Sequence, residues 1–249
     1  MSATSARAEL ASFIVKMLEI GAAIDSNPPV IRSQRGAAVV VWSSAPSHAI
    51  RPRSTPFASI ADYRRLLEDR QYNLVLSDGS LLQVLLVFRH DTLAKHSFCY
   101  YPCPVQFLAE PFEPPNVGEL VDLQLFHALE TSEWLPSELL DLQGNPDWAS
   151  QEIHHEDFAL RMRAPLRFDF DPEAATPSHP MSHLHLGEAE CRIPVSAPLS
   201  IGAFLRFVFH HFYPSLWQSA AFLQTWPTRA PDRCISHEHE LDIFLDWRS

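Results

Sequence analysis

Asp78-Gly79 stands between two apolar runs, and this pair constrains the fold more than any other feature of the chain. Tyr72-Asn73-Leu74-Val75-Leu76 leads in, Ser77-Asp78-Gly79-Ser80 turns, and residues 81–89 run out. Glycine accepts positive φ without steric cost, so Asp-Gly between apolar segments specifies a β-hairpin. Residues 97–101 read as a third strand beside it. A hairpin with a neighbouring strand is an antiparallel nucleus. The expected class is therefore α+β, a mainly antiparallel sheet with helices packed on one face.

The helices announce themselves by period. Leu10, Phe13, Ile14, Met17, Leu18 and Ala22 recur at three- and four-residue steps, which predicts a helix over residues 5–23. Ile60, Tyr63, Leu66 and Leu67 predict a second over 58–69, with Ser59 as cap. A third runs from Ile201 to Tyr213, capped by Ser200 and stopped by Pro214, with Phe204, Leu205, Val208, Phe209 and Phe212 as its apolar stripe. Residues 36–42 read as a buried strand, Asn27-Pro28-Pro29 as a loop, and the four prolines between Ser43 and Phe57 as irregular surface. A strand or helix is expected near 120–129 and a short helix near 135–142. Residues 237–245 read as strand-like, with His237 and His239 facing the core. No repeat or Gly/Ser linker divides the chain, so one domain, 1–249, is expected.

A chain of 249 residues, 46% of them hydrophobic, can build a sizeable core. No apolar run is long enough to span a bilayer, and no secretory leader pattern opens the chain. The expectation is a cytoplasmic protein with no membrane partner. Cys99, Cys103, Cys191 and Cys234 lack the paired spacing of a zinc ribbon and read as reduced thiols.

The net charge of −11 disfavours nucleic-acid binding through charge alone. Its distribution is uneven. No Lys or Arg lies between Lys95 and Arg161, so acidic residues 109–157 offer a surface for a basic protein partner. Arg32, Arg35, Arg51, Arg53, Arg64 and Arg65 gather instead, and could rim a phosphate.

The densest chemistry lies between Arg167 and Arg192. Arg167-Phe168-Asp169-Phe170-Asp171 alternates strictly, as does His183-Leu184-His185-Leu186. On strands, Phe168, Phe170 and the leucines point inward, and Arg167, Asp169, Asp171, His183 and His185 share the outer face. If the two strands pair, that face can act on a phosphodiester. His183 and His185 would transfer protons, Asp169 or Asp171 would orient an imidazole, and Arg167, Arg192 and His179 would hold the substrate. His-x-His with a carboxylate is also a metal-binding pattern, but the flanking glycines of a cupin motif are missing, and no metal or cofactor is assigned. A half-exposed strand alternates in the same way with no function at all.

Other candidates are weaker. His154-His155-Glu156-Asp157 reads as a solvated loop. His90-Asp91 falls at a strand end, not in the helix a His-Asp phosphohydrolase needs. No phosphate-cradling glycine loop or nucleophile elbow is present.

Arg167-Phe168-Asp169-Phe170-Asp171-Pro172, His179-Pro180-x-Ser182-His183-Leu184 and Cys191-Arg192-Ile193-Pro194-Val195-Ser196-x-Pro198-Leu199 resemble the DUF 2290 family of bacterial proteins. Asp78-Gly79-Ser80-Leu81-Leu82-Gln83 and Tyr100-Tyr101-Pro102-x-Pro104 resemble its N-terminal half. That resemblance implies a fold and no mechanism. Over residues 167–187 the order Arg-x-Asp, His-Pro and His-x-His-x-Gly is also similar to TumE-type toxins, which implies a toxin-like or phage-defence role acting on RNA. Three readings follow: a phosphodiester-directed protein acting on RNA or a nucleotide, a non-catalytic interaction subunit with an acidic surface, and a His/carboxylate metal-dependent enzyme.

Overall fold

A computed structural model describes residues 1–45, 60–103, 105–107, 158–160, 164–187, 190–229, 232–241 and 243–246. In chain order these form α1 (Ala3–Glu19), β1 (Ala23–Ser26), β2 (Pro29–Gln34), β3 (Ala37–Trp42), α2 (Ile60–Glu68), β4 (Leu74–Leu76), β5 (Leu81–Arg89), β6 (Thr92–Tyr101), β7 (Val105–Phe107), β8 (Phe158–Leu160), β9 (Leu166–Phe170), β10 (Ser182–Leu186), β11 (Ile193–Pro194), α3 (Ile201–Phe212), α4 (Pro214–Ser219), α5 (Ala221–Gln224) and α6 (His237–Glu240). The class is α+β.

The Asp-Gly turn forms where expected. Gly79 has φ +82°, and β4 and β5 pair on either side of it. β5 is the sheet's keel. The order across the main sheet is β1-β4-β5-β6-β9-β10-β11, with β3 sharing the β4 edge of β5 and carrying β2 outside it. All of these pairings are antiparallel. β5 and β6 are joined by His90-Asp91, both at positive φ (49° and 59°). That is the two-residue turn whose twist matches paired strands, and it explains why His-Asp lies at a strand end.

One face of the sheet meets α1 and α3. Val84 and Leu86 of β5, Phe98 and Tyr100 of β6, Phe168 of β9 and Leu184 of β10 pack there against Phe13, Met17, Phe204, Val208 and Phe209. Phe168 meets Phe204 and Phe207 edge-on, with ring centroids 6.2 and 5.4 Å apart. Each buried side chain of this size contributes roughly 1.5–3 kcal/mol. α3 starts as the sequence predicts: Ser200 Oγ accepts from the Ala203 N–H at 3.1 Å. It also packs closely. A Cβ on Gly202 would sit 1.8 Å from the Pro227 carbonyl oxygen.

The opposite face is covered near β4 and β5 by α2, whose Tyr63 and Leu67 pack with Leu81, Cys99 and Tyr101. Cys99 and Cys103 are buried thiols in no disulfide.

Three local expectations are corrected. α1 ends at Glu19, not 23, because Gly21 turns left-handed (φ +67°); its N–H bonds Leu18 O and the Ala22 N–H bonds Met17 O, which closes the helix. Pro29 opens an edge strand instead of a loop, a position where its missing N–H does no harm. Residues 237–240 are a helical turn capped by Ser236, and Leu241 and Ile243 are 76% and 85% exposed. His237 and His239 therefore do not face a core. Among the described residues no helix is long and apolar enough to cross a membrane. The acidic partner surface at 109–157, the elements near 120–142, His154-His155-Glu156-Asp157, Arg51, Arg53 and Ser59 lie outside the described residues. Of the other clustered arginines, Arg32 donates to the Ser43 and Ala45 carbonyls, and Arg64 and Arg65 pair with Glu68 and Asp69.

Candidate functional site

The two alternating segments do pair, and their register builds a polar layer. Asp169 of β9 sits between Ser97 of β6 and His183 of β10, and Arg167 sits between Cys99 and His185. Residues directly opposite on antiparallel strands point to the same face. Phe168 and Phe170 anchor that layer from behind, as their alternation predicts.

The layer is not on the outside. His183 and His185 retain 1% and 2% exposure and Arg167 6%, while Leu186 is 38% exposed. Alternation shows which side chains share a face but not whether the face is covered, so the expected outward imidazoles are buried ones.

Hydrogen bonds fix the protons. The His183 Nδ1–H donates to the Pro180 carbonyl at 2.7 Å, which leaves its Nε2 a lone pair. His185 Nε2 lies 2.9 Å from that nitrogen and 3.4 Å from Asp169 Oδ2, so the hydrogen on His185 Nε2 faces both. Asp169 Oδ1 accepts from Ser97 Oγ at 2.7 Å, and Oδ2 from Arg167 Nε at 2.9 Å. Burial raises the Asp169 carboxyl, but His185, the Arg167 guanidinium and Ser97 outweigh it and hold it well below the usual carboxylate range. Burial lowers His183 to about 4, against the pull of Asp169, so it is neutral at pH 7.

The layer continues towards the surface through His179. Its ring meets His183 edge-on at 4.6 Å, the same separation as His183 to His185. His179 is half-buried and lowered by that burial and then by Arg192. Arg192 Nη1 pairs with Glu190 at 3.0 Å; its Nε is buried and has no hydrogen-bond partner among the described residues. The loop bearing His179 is held by His239, whose Nε2–H donates to the Pro177 carbonyl at 2.9 Å.

Compared with known protein families, the chain matches DUF2290, described as an uncharacterized conserved protein, over residues 22–247. It belongs to the DUF2290 family. The match takes in every residue of the polar layer and leaves out α1, although α1 completes the core beneath β5. No curated protein and no solved structure matches the chain.

Of the residues expected from sequence, this DUF2290 chain brings Arg167, Asp169, His183 and His185 into one network, with His179 and Arg192 along its edge. Asp171 goes elsewhere: its carboxylate meets Lys95 at 2.9 Å, and Lys95 also meets Glu173 at 2.7 Å. Ser97 and the Pro180 carbonyl went unread, since only strand register and loop closure bring them in. Asp169, His183 and His185 also form a triad whose ligand atoms lie within 4.8 Å of one another.

Proposed function

We propose that this layer is the catalytic centre of an enzyme that cleaves phosphodiester bonds in RNA or a nucleotide. The observation that carries the reading is the run of contacts from Asp169 to His185 and from His185 to His183, with the half-buried ring of His179, beside Arg192, packed edge-on against His183. Attack on a phosphodiester needs a base to take the nucleophile's proton and an acid to give one to the leaving oxygen, and the His185–His183 hydrogen bond couples two groups able to fill these roles. Asp169 orients His185. His179 and Arg192, with its buried Nε–H, meet the phosphate, and Arg167 balances Asp169. Proton transfer of this kind contributes roughly 10²–10⁴-fold to rate. A toxin-like or defence setting would make the activity visible as growth arrest on expression.

The test is a cleavage panel of single-stranded RNA, cyclic and linear dinucleotides, with the wild type, His183→Gln and His185→Gln. The expected result is cleavage of at least one substrate, reduced about 100-fold or more in each variant. Absence of any cleavage, or equal rates in the variants, would sink the reading. The burial of both imidazoles favours a second reading, in which the network only braces β9 against β10. On that reading the variants lower the melting temperature by several degrees and there is no activity to lose.

A further inference from the structure

The geometry points to a seat for one divalent transition-metal ion between Asp169 Oδ2, His183 Nε2 and His185 Nε2. This rests on the phosphodiester reading for the substrate, but an ion on both Nε2 atoms takes the place of the hydrogen they share, and the seat itself rests on distances. The three donor atoms are 2.9, 3.4 and 4.0 Å apart. A point about 2.0 Å from all three exists within that triangle, and moving it about 0.5 Å out of the plane gives about 2.1 Å to each, the length of zinc–nitrogen and zinc–oxygen bonds. The mean separation, about 3.4 Å, is that of three ligands at the corners of one face of a tetrahedron of this size. A fourth ligand, water or substrate, would complete the tetrahedron, as in catalytic zinc sites.

Two imidazole nitrogens facing each other at 2.9 Å need something electropositive between them. A hydrogen serves in the metal-free protein, and an ion serves when that hydrogen leaves. The supports around the triad suit the second case. The His183 Nδ1–H is fixed on a backbone carbonyl, which aims its Nε2 lone pair inward, and Asp169 is held by Ser97 and Arg167. Outer hydrogen bonds of this kind set the orientation and basicity of metal ligands. Two imidazoles and one carboxylate suit zinc, iron(II), cobalt or manganese better than calcium or magnesium.

Charge then selects the substrate. Arg167 already balances Asp169, so a bound ion leaves the centre with two uncompensated positive charges in a buried setting. Such a centre draws hydroxide and a phosphate-bearing substrate. Asp169 keeps 21% of its side chain exposed while the imidazoles are sealed, so an ion enters past the carboxylate.

The experiment uses the full chain, treated with chelator and dialysed. Zn²⁺ and Mn²⁺ are titrated calorimetrically into the wild type, Asp169→Asn, His183→Gln and His185→Gln, each checked for folding by circular dichroism. One ion per chain is expected, with at least about 10-fold weaker binding in every variant. If a variant fails to fold, Co²⁺ added to the wild type decides: strong visible bands of a tetrahedral ion support the seat, and the weak spectrum of the aquo ion overturns it. Binding that is absent, or unchanged in the folded variants, also overturns it. Cleavage that survives chelation without ion binding removes the metal and keeps the phosphodiester reading, whereas ion binding without cleavage does the reverse.

Discussion

His96 makes a quantitative prediction about acid stability. It lies on β6, on the face opposite the polar layer, 3% exposed and stacked on Phe98 with centroids 4.3 Å apart. Its Nε2 accepts the Leu199 N–H at 3.1 Å, tying the approach to α3 onto the sheet. Burial lowers it from 6.5 to about 4, against the pull of Asp169. Between those values the unfolded chain takes a proton that the folded protein refuses. The stability held by neutral His96 is therefore complete above pH 6.5 and is lost as the pH falls towards 4. Integrating that difference gives a loss of about 2 kcal/mol between pH 7 and about pH 4.5 from this one group. His96→Gln keeps an acceptor for Leu199 but cannot titrate. Urea unfolding of both proteins, followed by tryptophan fluorescence across that range, isolates His96, because His183 and every other group is common to the two. The wild type should lose about 2 kcal/mol more than the variant on acidification. Parallel curves would refute the reasoning.

Two further substitutions probe the fold. Gly202→Ala gains about 1 kcal/mol of helix propensity. Its Cβ, however, would overlap the Pro227 carbonyl at 1.8 Å, so we expect a net loss of about 1–3 kcal/mol and a lower melting temperature; a higher one would show that residues 226–227 shift freely. In the β2–β3 turn Arg35 and Gly36 both have positive φ (49° and 76°), a conformation that suits Asn-Gly. Arg35→Asn should therefore stabilise by about 0.5 kcal/mol in denaturant unfolding, and destabilisation would argue against local strain there.

Much of this architecture was legible in the residues. Asp78-Gly79 named its hairpin, Phe204 to Phe212 named the backing helix, and the Arg167–Asp171 and His183–Leu186 alternations named both strands and which side chains share a face, though not which face is covered. These signals are local, and each follows from a periodicity or a turn preference. The remainder depended on distant partners. No pattern showed that Ser97, rather than a neighbour, would meet Asp169, because register is set by pairing across the sheet. Asp171 looked equivalent to Asp169 by spacing, yet it falls just past the strand and Lys95 claims it. Gly21 and His90-Asp91 were readable in principle as left-handed positions but carried no flanking signal strong enough to overrule the apolar pattern.

The polar layer joins parts of the chain that are far apart in sequence: Ser97 and Asp169 are 72 residues apart, whereas β5 and β6 are linked by two. The β5–β6 ribbon can form early from near neighbours, but β9 must first close a long loop to dock on it. β11 adds only two pairs at that side. A molecule or ion gripping Asp169 together with the histidines would thus act as a rivet across the late-forming seam. It should slow amide exchange in β9 and β10 before it affects the β5–β6 ribbon.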